Sequence, residues 1–527
     1  MNDKEQKVSQ EIDLLRALDE LEKKNSFIWI IFSISAMASL LNGINSLSYV
    51  FLAEIPEFRC SVSNLVNTNW TFDQIKEISK ADECHQFDHN YTYLTNLKYD
   101  EAIEYVNGYE FLPSIIPCKN FMFNETGRST IVNEWQLVCE KKIYRANTYV
   151  VYVLGKMCGL GIFGVYADLY GRKYSLIISI ILQIIAEPAS ALVPGFWEYL
   201  VLRFITGVGL GAMYSSAYTL MSEATNNRKR KLLVAAIECI YALGIFCLVL
   251  MAYLIPHWRT LQLALSCFVF PAIILVWYAP ESPRWLISQG RHVEAEKIIQ
   301  KYCGSTVTTP TCITIENSPT KPPPETPTKL EEKKCFFNRD FESLKILFSD
   351  SILRNNILIV YFIAYATAAV SYSLVFSIDN FKTDRYIYMS LVVVNELLSH
   401  MAVSAVLMFL SCRKANIIIL INVFIVMMGL LAVPEEDKNT IIGLALFGKF
   451  LTAATYTINL LLVAELFPSI VKNSALGTTL ITVQLGSTSA PFIVDLLGNI
   501  AWWAPTTLCG ILALIAALFC ISLPQKN

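Results

Sequence analysis

Charge is scarce in this chain. Asp, Glu, Lys and Arg make up 16% of its 527 residues, against about 25% in average soluble domains. Beside a hydrophobic share of 54%, that shortage excludes a string of ordinary soluble domains and, for most of the length, intrinsic disorder. The formal net charge is only -2, so no broad basic field advertises nucleic acid, and no such partner is expected. Cysteine is dilute too: 14 residues in 527 do not make a disulfide scaffold. The chain also has no G-x-S-x-G elbow, no H-E-x-x-H and no phosphate-cradling G-x-x-x-x-G-K-[ST]. A membrane enzyme and an ATP-driven pump are therefore disfavoured, and neither a cofactor nor a metal site is expected.

What is present is apolar sequence in long runs. A helix needs about 20 apolar residues to cross the hydrocarbon core. Runs of that kind lie at 26–53, 145–166, 174–193, 198–221, 232–255 and 258–279, then at 355–377, 386–410, 415–433, 439–463, 474–497 and 501–523. The expected fold is an all-α integral membrane protein, with twelve helices in two pseudo-symmetric bundles of six. The tail 1–25 is too long and too acidic for a cleaved signal peptide, so the first run reads as a signal anchor. Basic residues gather in alternate short connections: Arg172 and Lys173, residues 228–231, Arg413 and Lys414, and Lys472. The positive-inside rule then places both termini in the cytoplasm.

Two connections are long. Residues 54–143 fall outside the cell as a large loop after helix 1. They hold Cys60, Cys84, Cys118 and Cys139, and all three N-x-[ST] sequons of the chain, at Asn69, Asn90 and Asn124. Topology and sequons agree, since glycans are added on the lumenal side. Four cysteines there suggest two disulfides, with three pairings open. Residues 284–354 stay inside, and their stretch 304–334, with Pro322, Pro323 and Pro324 in a row, reads as a disordered linker. It divides helices 2–6 (144–283) from helices 7–12 (355–524), as in a carrier built from repeats.

The connection after the second span carries Gly164, Asp168, Gly171, Arg172 and Lys173 in the spacing G-x-x-x-D-x-x-G-R-K. Gly164 would let helices approach closely, Gly171 would allow a tight turn, and the basic pair would sit at anionic headgroups. This stretch resembles the signature of the major facilitator superfamily. Pro280-Glu281-Ser282-Pro283-Arg284-Trp285 after the sixth span, Glu134 to Cys139 at the close of the large loop, and Glu465 to Lys472 after the tenth span make the set similar to the organic cation, organic anion and carnitine transporter family. The resemblance implies a plasma-membrane carrier of small organic ions working by alternating access, with a coupling ion and the oligomeric state left open. It also implies a cytoplasmic latch of Gly164, Asp168, Gly171, Arg172, Glu281 and Arg284. Glu223 with Arg230, and Glu465 with Lys472, form equivalent acid–base pairs seven residues apart in the two halves. Arg203 resembles the span-4 arginine of the superfamily, with a structural or coupling role. The loop after span 8 departs from the pattern, reading Ser411-Cys412-Arg413-Lys414 without the Asp or Gly, which weakens the second latch and keeps a transport-dead receptor or scaffold as an alternative.

Ionisable residues inside spans are costly and mark function. They are Lys156, Glu187, Arg203, Glu238, Glu396, His400 and Lys449. Lys449 lies near the outer end of its span, where a lysine can snorkel; pointing inward instead, it and Lys156 would ease the entry of an anion. Glu396 aligns with the span-8 acid at which the family's cation carriers hold their ligand, and His400 shares its face. An unpaired carboxylate in an apolar cavity calls for a proton, for His400 or for a cationic ligand. Gln484 stands where the family's cation carriers have Asp and its anion and carnitine carriers have Arg. With Asn42 and the aromatic hydroxyls Tyr241, Tyr365, Tyr372 and Tyr456, these residues are the expected substrate contacts, aromatic faces suiting cations. Organic cations or zwitterions such as carnitine-like amines are favoured, with an organic anion carrier as the alternative.

Overall fold

The computed structural model describes residues 25–65, 68–108, 113–124, 127–225, 227–303, 344–378, 384–434, 437–501 and 503–524. The N-terminal tail ahead of residue 25 and the stretch 304–334 expected to be a disordered linker lie outside the described residues, as does the side chain of Arg230. Among the described residues twelve helices are long and apolar enough to cross a bilayer. They are α1 Ser26–Leu52, α2 Cys139–Tyr170, α3 Arg172–Leu192, α4 Phe196–Ala224, α5 Ala236–Leu254, α6 Trp258–Tyr278, α7 Ser351–Phe376, α8 Arg385–Phe409, α9 Cys412–Ala432, α10 Lys438–Leu466, α11 Ser474–Leu497 and α12 Ala504–Ser522. These are the twelve apolar runs. The largest shift is at the start of α2, where a polar turn from Cys139 continues into the helix ahead of the apolar stretch.

The helices pack as two sets of six. In the first, α4 lies against α2, α3 and α1, and α1 also against α5; in the second, α7 lies against α10, α11 and α12, and α9 against α10 and α12. The halves meet along two seams, α2 with α11 and α5 with α8. Close approach inside the first half depends on glycine. A Cβ on Gly43 would overlap the Tyr241 carbonyl of α5, and one on Gly211 would overlap the Lys156 carbonyl of α2. Small residues let backbones touch where lipid offers no hydrophobic drive. Large apolar side chains such as Trp277, 80% exposed, and Phe409, 85% exposed, cover the outside, as a lipid-facing surface requires.

Helix α11 changes winding near its end. Pro491 lies inside it, and residues Ile493–Leu497 form a π-helical turn. Proline lacks the N–H that an α-helical ladder needs, and single π turns are often found at functional positions.

Between α1 and α2 the chain builds a small subdomain. Strand β1 (Phe58–Cys60) pairs antiparallel with β4 (Phe121–Phe123), and β2 (His85–Phe87) with β3 (Ile115–Pro117). Its own core gathers Val62, Leu65, Ile75, Ile78, Tyr91, Leu94 and Ala102. Of the three possible pairings the cysteines adopt Cys60–Cys118 and Cys84–Cys139. Asn69 and Asn90 are exposed, while Asn124 is half-buried at the end of β4.

Candidate functional site

Polar side chains from both halves converge on a cavity of about 90 Å³. Asn42 (α1), Lys156 (α2), Glu238 and Tyr241 (α5) reach it from the first half; Tyr372 (α7), Glu396 and His400 (α8), Lys449 and Tyr456 (α10) and Gln484 (α11) reach it from the second. Seven of the eight expected contacts therefore share one space. Tyr365 does not line it. It follows the same stripe of α7 as Tyr372, but seven residues, roughly 10 Å, further along the axis.

The charges inside are organised half by half. In the first half Lys156, 5% exposed, donates to Asn42 Oδ1 at 2.7 Å, and Ser46 donates to the same oxygen at 3.1 Å. In the second half Lys449 Nζ lies 3.0 Å from Glu396 Oε2 and donates to Ser371 Oγ at 2.9 Å. The Glu396 oxygen is in ion-pair contact without the alignment of a hydrogen bond. His400 Nδ1 is 3.1 Å from Thr457 Oγ1. Two expectations are corrected here. Lys449 does not snorkel, being 8% exposed, because α10 packs directly on α8 and offers the ammonium a carboxylate inside. Glu396 is not an unpaired anion, and its partner is Lys449 rather than His400. Glu238 completes the set: two carboxylates and two ammonium groups line one cavity. Ser371 had no signal in the sequence beyond its place one residue before Tyr372.

A second cluster surrounds Arg172. Its Nη2 reaches Asp168 Oδ1 and Glu223 Oε1, each at 2.7 Å, and its guanidinium lies over the Trp285 ring at 5.8 Å. Trp285 Nε1 donates to the Asp168 carbonyl at 2.8 Å. Glu281 accepts from the backbone N–H of Arg172 at 2.9 Å, of Lys173 at 3.2 Å and of Ser282 at 3.0 Å. Burial pushes the Glu281 carboxyl up from its ordinary range, against the downward pull of those three donors. Gly171, at φ 110°, makes the turn that brings these groups together, a conformation open to glycine.

Several expectations about this cluster change. Among the described residues, the partners of Arg172 and Glu281 given above lie within the first half. Glu223 takes Arg172 as partner, and Arg230, expected in that place, lies outside the described side chains. Arg284 is exposed, while Glu281 turns to backbone donors. A Cβ on Gly164 would meet only Ser215 Oγ, at ordinary contact distance, so close approach there does not require glycine. Arg203 is 2% exposed among Ser48, Tyr152 and Tyr199, twenty residues or roughly 30 Å along α4 from Glu223. In the second half Glu465 is exposed and Lys472 half-buried. Arg413, lacking the acid of the first signature, donates instead to the carbonyls of Cys520 and Ile521 at the end of α12.

A third cluster was missed in the sequence. Arg145 Nη1 of α2 meets Asp495 Oδ1, on the π turn of α11, at 2.9 Å, and Arg145 Nε donates to the Ala53 carbonyl at 2.6 Å. At the other seam Glu54 lies 3.4 Å from Arg385 Nε and 3.6 Å from Arg128 Nε. Arg128, from the subdomain, donates to the Tyr386 hydroxyl of α8 at 2.8 Å and to the Ala252 carbonyl of α5. Both seams are thus bridged on the side facing the subdomain.

A family profile described as "Sugar (and other) transporter" matches residues 75–525. The organic cation transporter protein of Drosophila melanogaster is 25% identical over 512 residues, covering 94% of this chain and 89% of the relative. The organic cation/carnitine transporter 2 of Mus musculus is 28% identical over 524 residues, covering 94% and 88%. Further matches are named organic anion transporter 3. The solved proton:xylose symporter XylE, bound to 6-bromo-6-deoxy-D-glucose, superposes with a TM-score of 0.60 at 16% identity, covering 96% of this chain and 97% of that one.

Proposed function

The chain belongs to the sugar (and other) transporter family, and from that premise we propose that it carries small organic ions across the plasma membrane by alternating access, with zwitterionic and cationic amines such as carnitine favoured. The observation that carries this reading is the cavity between the halves. Glu238 and Glu396 offer anionic poles among Tyr214, Tyr241, Tyr372 and Tyr456, a setting in which aromatic faces and carboxylates both attract an ammonium group. Lys156 with Asn42 offers a pole for a carboxylate. Opposite poles in one small space suit a ligand that carries both charges. Full-length similarity to relatives named for organic cations and carnitine supports the substrate class.

In this reading residues 54–143 face the cell exterior with glycans at Asn69, Asn90 and Asn124. Both termini and the connection 284–354 are cytoplasmic, and the Arg172 cluster serves the inner face as a conformational latch. Lys156 and Lys449 together support the second reading, an organic anion carrier, alongside the relatives named for anions.

Uptake by cells expressing the chain separates the two. Labelled carnitine and tetraethylammonium are expected to enter saturably and to compete with each other, whereas an aromatic carboxylate enters poorly. Glu396→Gln is expected to raise the apparent KM for tetraethylammonium without loss of surface protein. Transport of the carboxylate alone gives the anion reading; transport of none of the three removes both.

A further inference from the structure

We propose that Lys449 is a tethered counter-ion: it occupies Glu396 in place of a ligand ammonium, so that substrate competes with the carrier's own lysine and the carrier can reorient without cargo. This rests on the reading of the cavity as an organic-ion site and deepens it.

The ion pair lies wholly in the second half. Glu396 is on α8, Lys449 on α10, and Ser371, which receives the same ammonium, on α7. Rocking of one half against the other leaves such a pair intact, because its members travel together. A group entering the cavity, by contrast, competes with the lysine for Glu396 directly. Both side chains are about one-tenth exposed, 10% for Lys449 and 11% for Glu396, and both line the cavity, so an entering ammonium meets them directly.

The geometry favours displacement. The contact is close but lacks an aligned hydrogen bond on Oε2, so a ligand that aligns its donor or brings a full charge can replace it. Lysine is a point charge on a flexible stem, and Ser371 gives the ammonium a second acceptor when it leaves the carboxylate. A bare carboxylate in this place would oppose closure around an unloaded cavity, since one partner of a buried pair is costly alone. With Lys449 present that cost is absent. Net movement without an exchange partner follows, at the expense of apparent affinity. If the lysine holds Glu396 nine-tenths of the time, the apparent dissociation constant for a cation is about tenfold weaker than the intrinsic one.

The test compares the parent with Lys449→Cys, Lys449→Gln and Lys449→Arg in cells, with surface protein measured by biotinylation. The probe is labelled tetraethylammonium, and the second readout is efflux with and without saturating unlabelled probe outside. Lys449→Cys and Lys449→Gln are expected to lower KM about tenfold and to make efflux depend on the external probe. Treatment of Lys449→Cys with 2-aminoethyl methanethiosulfonate, which restores a tethered ammonium, returns both values toward the parent; methyl methanethiosulfonate does not. Lys449→Arg stays near the parent. An unchanged or higher KM in the neutral variants that reach the surface overturns the proposal, as does rescue by the uncharged reagent. A parent that moves neither tetraethylammonium nor carnitine overturns the cation and zwitterion reading itself and this inference with it, a result marked by the silence of the unaltered chain; a parent that moves carnitine alone takes the same test with labelled carnitine as the probe.

Discussion

One guanidinium nitrogen of Arg172 serves two carboxylates at 2.7 Å, which makes this side chain the pivot of its cluster. Asp168 and Glu223 keep 30% and 22% of their side chains exposed, so water screens part of the interaction. Loss of the guanidinium is expected to cost about 2 kcal/mol rather than the full penalty of a buried pair. Arg172→Ala should therefore fold, reach the surface and transport several-fold more slowly, measured as uptake per surface-biotinylated protein; parental uptake would contradict the latch. The signature spacing made Asp168 and Arg172 legible in the sequence, because they flank the short turn at Gly171 that joins two helices. The partners of Glu223, Glu396 and Lys449 were not legible. Each lies on a different helix, and a sequence gives neither the rotation of a helix nor its neighbour across a seam. Gln484 and Glu396 line one cavity, while the facing of Lys449, outward to the interface or inward, is not settled by the sequence.

At the scale of elements, the π turn Ile493–Leu497 follows from Pro491 and presents Asp495 to Arg145 across the α2–α11 seam. Both side chains are almost enclosed, at 4% and 7% exposure. Removing one partner of such a pair costs about 3–5 kcal/mol, much of it the penalty on the charge left behind. Asp495→Asn should thus loosen closure on the subdomain side. A cysteine introduced at Val375, which lines the cavity, should react several-fold faster with an impermeant maleimide applied from that side. Exchanging the charges, Arg145→Asp with Asp495→Arg, should bring the rate back toward the parent. Equal labelling in all three chains would remove the pair from the gate. Neither residue stands out in the sequence, because both sit near the ends of their apolar runs, where a charge costs little.

For the whole molecule, the twelve spans were legible because apolar length is a one-dimensional property, and so was the division into halves. The subdomain was legible only as a cysteine-bearing loop. Its two short sheets join strands far apart in the chain, Phe58 to Phe123 and His85 to Pro117, and its disulfides join residues 58 and 55 positions apart. Its sequons provide a check on the whole topology. Asn69 and Asn90 are exposed and Asn124 is half-buried, so enzymatic deglycosylation should shift the gel mobility, and only removal of all three sequons should abolish the shift. A shift surviving the triple substitution would place glycans elsewhere and reverse the assignment of faces.

The disulfide Cys84–Cys139 roots the subdomain at the first residue of α2. That helix carries Arg145 at one end, Lys156 at the cavity and Asp168 at the far end. The covalent root makes the subdomain a lever whose fulcrum is α2. Arg128, which reaches from the lever to α5 and α8, must let go of one side whenever the seam opens. A tilt of α2 in the bilayer would carry the rooted subdomain with it, and a load that restrained the subdomain would hold back the helix below.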